Sequence, residues 1–402
     1  MSDNGLTQVH PQDGSGLEEQ GPPRILIVDD EPDIELLIRQ RFKRAGGRYD
    51  FVFARNGQEA LERLETDPTI GLVITDINMP VMDGLTLLAR LNHHNGRMLK
   101  SVILSAYGDM RNIRAAMNAG AFDFLTKPID FQDFEVTLAK SLEALESSIQ
   151  GARASAELIA LREELAIAAK IQQSILPRDF FLDRKDFQVF GEMRPAEQVG
   201  GDFYDFFMIG EKELAFLIGD ASGKGVPAAL FMAVSHTLLK ATAMQGIAPA
   251  DCLGYMNRLL CKQGEDGSFV TLFYGILHTE SGKLDFCLGG HNPPYIVSKD
   301  GQITALREPG GSVLGLLENS AYETGTVQLN PGDTIFLYTD GVTEAMNASE
   351  QFFTEKRLKQ LLNGMHGRSP ETISRAVLDE VERFAGDAPQ ADDITVLAVG
   401  RP

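Results

Sequence analysis

Basic residues are in short supply in this chain: 37 Lys and Arg stand against 57 Asp and Glu in 402 residues, a formal net charge of −20. A nucleic-acid output needs basic stripes to meet a phosphate backbone, so that class is excluded. Cysteine is scarce too. The three present, Cys252, Cys261 and Cys287, show no CxxC spacing and leave one unpaired in any disulfide scheme. Reduced thiols in a cytoplasmic protein are the expectation. No apolar run reaches the roughly 20 residues of a membrane span, and residues 1–23 lack the basic-then-apolar layout of a signal peptide. Their Gly, Pro, Asp and Gln predict a disordered tail. What remains, 43% hydrophobic and 23% charged, is ordinary globular composition, long enough for two or three domains with their own cores.

Aspartates at the ends of apolar runs are the most informative feature present. From Arg24 to about Phe134, short β-branched runs (25–28, 51–53, 72–75, 102–104 and 122–125) alternate with amphipathic stretches. That alternation predicts an α/β domain, a parallel sheet covered on both faces. Asp29 and Asp30 end the first strand and Asp76 ends the third, at the carboxyl edge where such sheets form their sites. Three converging carboxylates repel one another unless a cation joins them, and Mg²⁺ suits an all-oxygen set. Lys127 ends the fifth strand beside them, and a carboxylate so placed can take a phosphoryl group.

Between about 134 and 176 the pattern changes. Phe134, Leu138, Leu142, Leu145, Ile149, Ala152, Ala156 and Ile159 step by fours and threes, and Leu158, Leu161, Leu165 and Ala168 continue a seam displaced by one residue. Two readings fit: a dimerising coiled-coil linker over 136–177, which is preferred, or a helix packed along its own domains. From 178 to 402 strand-like runs (187–193, 203–209, 213–219, 269–278, 283–288, 294–298, 334–339 and 393–399) come with helical stretches at 226–244, 249–262, 355–363 and 371–385. Such grouping predicts α+β with layered sheets.

The pieces VDDE at 28–31, DINMPVMDG at 76–84, LSAYGD at 104–109 and LTKPID at 125–130 resemble a response-regulator receiver domain over residues 24–135. The resemblance implies a flavodoxin-like (βα)5 fold with Asp76 as phospho-acceptor and Asp29 and Asp30 as Mg²⁺ ligands. The Asn78 carbonyl would complete the metal shell. Ser105 would be the switch hydroxyl, Lys127 the phosphate contact and Phe124 the switch aromatic, where Tyr is the commoner residue.

In the C-terminal half, Asp202, Asp220, Asp340 and Asp392 each lie beside a strand, and mostly beside glycines that let backbone approach an ion. Four gathered carboxylates supply about the ligand set of two Mg²⁺ or Mn²⁺ ions. GDASGKG at 219–225 misses the Walker spacing, because Lys224 precedes Gly225 rather than Ser or Thr. Lys224 is expected to be solvated at a helix entrance. VGGDFYDFF at 199–207, GDASGKGVPAAL at 219–230, GGHNPP at 289–294, LYTDGVTEAM at 337–346 and DDITVLAV at 392–399 resemble a PP2C/SpoIIE-type protein phosphatase. IQQSILP at 171–177 resembles that family's lead-in.

This second resemblance implies an αββα sandwich over 178–402. Asp220, Asp340 and Asp392 would be direct ligands of the two metals and Asp202 a ligand directly or through water, with the Ala221 carbonyl adding another. Asp393 is the alternative to Asp392. A metal-bridged water held by Asp220 and Asp340 would attack phosphoserine or phosphothreonine. His291 is expected to be structural, and Arg194 is a candidate grip on the substrate phosphate. The implied partners are a sensor histidine kinase or phosphotransfer protein and a phosphorylated anti-sigma-factor antagonist. A competing reading, from likeness to RssB-type regulators, is an adaptor that binds a sigma factor for proteolysis through a phosphatase-like docking domain. Neither reading calls for nucleic acid or a membrane, and both are cytoplasmic.

Overall fold

The computed structural model describes residues 24–43, 49–92, 97–106, 108–177, 180, 184–263 and 267–402. The tail expected over 1–23 lies outside them. Contacts divide the chain into two compact units, Met1–Ala160 and Leu161–Pro402.

In the first unit β1 (Arg24–Val28), α1 (Pro32–Phe42), β2 (Asp50–Ala54), α2 (Gly57–Thr66), β3 (Ile70–Asp76), α3 (Gly84–Asn92), β4 (Lys100–Ala106), α4 (Met110–Asn118), β5 (Asp123–Lys127) and the first part of α5 (Phe131–Ile175), whose turns past Ala160 belong to the second unit, follow in strict alternation. The strands form one parallel sheet in the order β2-β1-β3-β4-β5. β3 is buried along its whole length, as a central strand covered on both faces must be. Helix starts follow local chemistry: Pro32 sits in the first turn of α1, and Asn56 caps α2 by accepting from the Gln58 and Glu59 amides.

Helix α5 changes the meaning of the heptad seam. Phe134 and Leu138 are fully buried in the core with Ile25, Ile74 and Leu104, and Leu142 packs at its edge. These first members of the expected dimer seam are therefore core positions of the first unit, which begins the helix as the packed-helix reading would have it. Farther along, Leu158, Ile159 and Leu161 are exposed.

The second unit contains β6 (Gln188–Arg194), β7 (Asp202–Ile209), β8 (Glu213–Ala221), α6 (Gly225–Ala243), α7 (Pro249–Gln263), β9 (Val270–His278), β10 (Lys283–Gly289), β11 (Tyr295–Val297), β12 (Ile303–Ala305), β13 (Gly310–Gly311), β14 (Gly325–Gln328), β15 (Thr334–Tyr338), α8 (Asp340–Thr343), α9 (Thr354–Leu362), α10 (Pro370–Ala385) and β16 (Ile394–Gly400). One sheet runs β13-β10-β9-β8-β7 with β14 against β10; the other runs β12-β11-β15-β16-β6. Phe216, Phe273 and Phe286 from the first meet Ile335, Leu337 and Leu397 from the second in a shared core. α6 and α7 cover the outer face of the first sheet, and α9 and α10 that of the second. The layers are thus helix, sheet, sheet, helix.

Among the described residues α6 is the one helix long and apolar enough to cross a membrane, a property the sequence reading did not flag. Its polar anchors suit a core helix. His236 Nε2 and Lys240 Nζ each lie 2.8 Å from Oδ2 of buried Asp205 on β7.

Candidate functional sites

In the first unit, the carboxyl edge of the parallel sheet carries Asp29, Asp76 and Lys127. Ligand oxygens of Asp29, Asp30 and Asp76 come within 4.8 Å of one another, which among the described residues no other set of three such groups does. Asp29 and Asp76 are buried, whereas Asp30 and Asn78 are exposed. Lys127 Nζ reaches Asp76 at 2.8 Å, Asp29 at 2.9 Å and Glu31 at 3.1 Å. Burial works against the ammonium, but its bonds to Asp76, Asp29 and Glu31 outweigh that and hold its pKa above the ordinary lysine value. Burial raises Asp29, with Lys127 opposing.

The other residues singled out in the sequence lie around this edge. The Ile77 amide donates to Asp76 Oδ1 at 2.7 Å, leaving Oδ2 toward Lys127. Ser105 Oγ is buried without a hydrogen-bond partner, and Phe124 on β5 is 37% exposed. Gly84 is required by close approach, since a Cβ there would lie 2.1 Å from the Asp76 carbonyl oxygen. The set fits a hard divalent cation: an all-oxygen cluster of three carboxylates, with a lysine ammonium beside two of them.

In the second unit, the four aspartates lie toward one end of the sandwich, close enough to feel one another's charge, although among the described residues no three of their ligand oxygens come within 4.8 Å. Asp202 and Asp220 are cross-strand partners on β7 and β8. Asp340 follows β15 and Asp392 precedes β16, and these strands pair antiparallel so that both acids emerge at the same end. Two hydroxyls stitch one sheet to the other: Thr339 and Thr395 donate to Asp202 Oδ2 at 2.7 and 2.6 Å.

The electrostatics record the crowding. Burial, then the charge of Asp220, pushes Asp202 well above the usual carboxylate range, against the pull of the Thr395 and Thr339 hydroxyls. Burial, with Asp340, Asp392, Asp393 and Glu344 as neighbours, raises Asp220 to about 7. Asp340 is raised by burial, Glu344 and Asp392. Acids driven upward together in this way are a donor set short of positive charge, which divalent cations would supply.

The Asp392–Asp393 doublet divides its labour. Asp393 is buried; its Oδ1 accepts from the Ala196 amide at 2.8 Å and its Oδ2 from the Gly201 amide at 2.8 Å. Its oxygens hold the loop before β7, while Asp392 is the partly exposed member; both are charge neighbours of Asp220. The Ala221 carbonyl lies so close to Gly201 that a Cβ there would come within 2.4 Å of its oxygen.

Lys224 is exposed at the entrance to α6, as expected, and there its ammonium donates to the Ala391 carbonyl at 2.5 Å and lies 3.5 Å from Asp392. Arg194 is engaged with Glu192 and Glu382 at 3.0 and 3.1 Å, so its guanidinium already has carboxylate partners. His291 is buried, with Nδ1 2.8 Å from Thr271 Oγ1; burial lowers its pKa to about 4, keeping the ring neutral. A cavity of about 410 Å³ reaches Asp392 alone of the four acids, with Arg194, Glu344 and Lys224 among its charged lining and Met346, Phe352 and Val381 among its apolar walls.

Sequence reasoning missed Glu344, Thr339 and Thr395. Glu344 follows Asp340 by four residues across the short α8, a spacing that shares one helix face and was available as a signal. The threonines carried none, since their partner lies 137 and 193 residues away.

Residues 25–139 match the model of the response regulator receiver domain, and residues 210–402 match that of stage II sporulation protein E. Protein IcfG of Synechocystis sp. is 30% identical over 267 residues, 60% of this chain and 42% of that relative. Phosphoserine phosphatase RsbU of Bacillus subtilis is 28% identical over 246 residues, 60% of this chain and 71% of RsbU. The chain thus spans less than half of the first relative's length. The SiaA-PP2C domain of Pseudomonas aeruginosa superposes with a TM-score of 0.54 at 22% identity, covering 62% of this chain and 99% of that domain; it supports the fold. The chain thus matches a response regulator receiver domain in its N-terminal part and, after it, the SpoIIE family model over its C-terminal part.

Proposed function

We propose that this receiver–PP2C chain is a response regulator whose phosphorylation on Asp76 controls a divalent-metal-dependent phosphoserine/phosphothreonine protein phosphatase. The observation that carries the reading is the convergence of Asp202, Asp220, Asp340 and Asp392 from four separate segments onto one end of the sandwich. That the whole acid set is present and crowded favours catalysis over an adaptor that only docks.

Two Mn²⁺ or Mg²⁺ ions would supply Lewis acidity and a water of lowered pKa. This chain's residues do the rest. Asp220 and Asp340 would hold the ions, with Asp392 and Asp202 completing the set. Thr339 and Thr395 fix the Asp202 carboxylate in orientation. Hydrolysis breaks the ester P–O bond, and the products are inorganic phosphate and a free serine or threonine hydroxyl. The cavity walled by Met346, Phe352 and Val381 would receive side chains flanking the phosphorylated residue.

In the receiver, Asp29 and Asp30 would hold Mg²⁺, and Lys127 would follow the phosphoryl group added to Asp76. Phosphorylation adds roughly two negative charges to that pocket, a local switch that α5 would relay, with dimerisation through its exposed later turns. The donor would be a sensor histidine kinase or phosphotransfer protein. RsbU, a phosphoserine phosphatase by name, supports a phosphoserine protein as substrate. An anti-sigma-factor antagonist is the proposed one, in the cytoplasm.

The test measures phosphate release from a phosphoserine protein and from p-nitrophenyl phosphate with added Mn²⁺. Asp340→Asn should lose both activities by at least a hundredfold. Phe352→Ala should raise KM for the phosphoprotein several-fold and leave the small ester unchanged. Intact turnover in Asp340→Asn would refute the metal-site assignment.

A further inference from the structure

Helix α5 is exposed along most of its later turns, and Ile171 is 62% exposed, yet its neighbour Gln172 is only 7% exposed. The Gln172 amide is used at both ends by a single residue. Its Nε2 donates to the Gly200 carbonyl at 2.5 Å, and its Oε1 accepts from the Gly200 amide at 3.1 Å. A side chain here plays the part that a neighbouring strand plays in a sheet, satisfying both polar groups of one buried residue. Only an amide side chain can donate and accept in this way; a carboxylate can only accept.

Gly200 is held equally closely from another side. A Cβ at this position would fall 1.9 Å from Asp393 Oδ2, so the loop lies directly against that carboxylate. Asp393 in turn accepts from the Ala196 and Gly201 amides. Gly201 accepts from the Ala221 amide at 3.1 Å, and the next residue is Asp202. The loop that presents Asp202 and abuts Ala221 is therefore gripped by one carboxylate from the start of β16 and one amide from the end of α5. Leu176, just past the helix, packs against two of the unit's three core clusters and fixes the same end of α5.

We propose that Gln172 is a positioning residue: it ties the C-terminal turns of α5 to the loop bearing Asp202, so that displacement of this helix end changes metal affinity at the phosphatase centre. The proposal deepens the phosphatase reading and rests on it for the identity of the centre. Gln172 touches neither substrate nor reacting atoms and acts through Gly200. The helix end communicates with the centre by two hydrogen bonds to one glycine, a linkage that a shift of about 1 Å would break.

The experiment compares full-length wild type, Gln172→Ala and the isosteric Gln172→Glu, which keeps the acceptor and loses the donor. Mn²⁺ binding is measured by calorimetry on metal-free protein, and backbone hydrogen exchange is followed over residues 196–202. Both variants should bind Mn²⁺ at least fivefold more weakly and lose exchange protection in that loop, while protection in β9 and β15 reports that the unit is folded. Wild-type Mn²⁺ affinity and unchanged loop protection in both variants would overturn the proposal. A defect confined to Gln172→Ala would overturn it too, because filled space rather than the paired hydrogen bonds would then be what matters. Should wild-type protein bind Mn²⁺ but release no phosphate, the phosphatase reading fails while this comparison still decides the role of Gln172.

Discussion

Asp220 shows at one residue what the phosphatase centre costs the fold. Its pKa, raised by burial and neighbouring acids to about 7, stands above that of the unfolded chain. A carboxyl group of this kind adds relative stability below the unfolded pKa near 4, and that stability is lost as pH rises through about 7. Metal-free protein should therefore lose stability between pH 4 and 8, and Mn²⁺ affinity should rise over pH 6 to 8 as Asp220 gives up its proton. Asp220→Asn should stabilise the metal-free phosphatase domain at pH 8 by on the order of 1–3 kcal/mol, read by denaturant unfolding, while abolishing turnover. A variant no more stable than wild type at pH 8 would count against the crowded-carboxylate account. Much of this was legible in the sequence, because acids at the ends of apolar runs announce themselves. The roles of Thr339, Thr395 and Gln172 were not, since a hydroxyl or amide acquires its partner only when distant segments meet.

The same limit operates on whole elements. The long strands and helices were read nearly to their ends, but β12, β13, β14 and α8 span two to four residues, too few for any period to register. Helix α5 was harder for another reason. Steps of three and four mark any buried helical face, so Phe134 and Leu138 looked like a dimer seam while belonging to the receiver core. The little α8 now carries weight that its length concealed. It brings Gly341 so close to β16 that a Cβ would meet the Asp393 carbonyl oxygen at 1.9 Å. Gly341→Ala should consequently separate Asp340 from Asp392, destabilise the domain by about 1–3 kcal/mol as overpacking does, and lower kcat more than a hundredfold. Near-wild-type kcat in this variant would show that α8 does not set the spacing of the acids.

At the scale of the whole molecule, the account joins an acidic receiver pocket to a hydrolytic centre built on a different architecture, with α5 entering both units' sequence. The central claim is that the first controls the second. Its most direct test is Mn²⁺-dependent phosphate release from a phosphoserine protein by the full-length chain, with and without a small-molecule phosphodonor such as acetyl phosphate. The account predicts that the donor changes the wild-type rate several-fold, that Asp76→Asn keeps a basal rate and ignores the donor, and that Asp340→Asn releases no phosphate in either condition. A donor effect that persists in Asp76→Asn, or a wild-type rate indifferent to phosphorylation of Asp76, would contradict it.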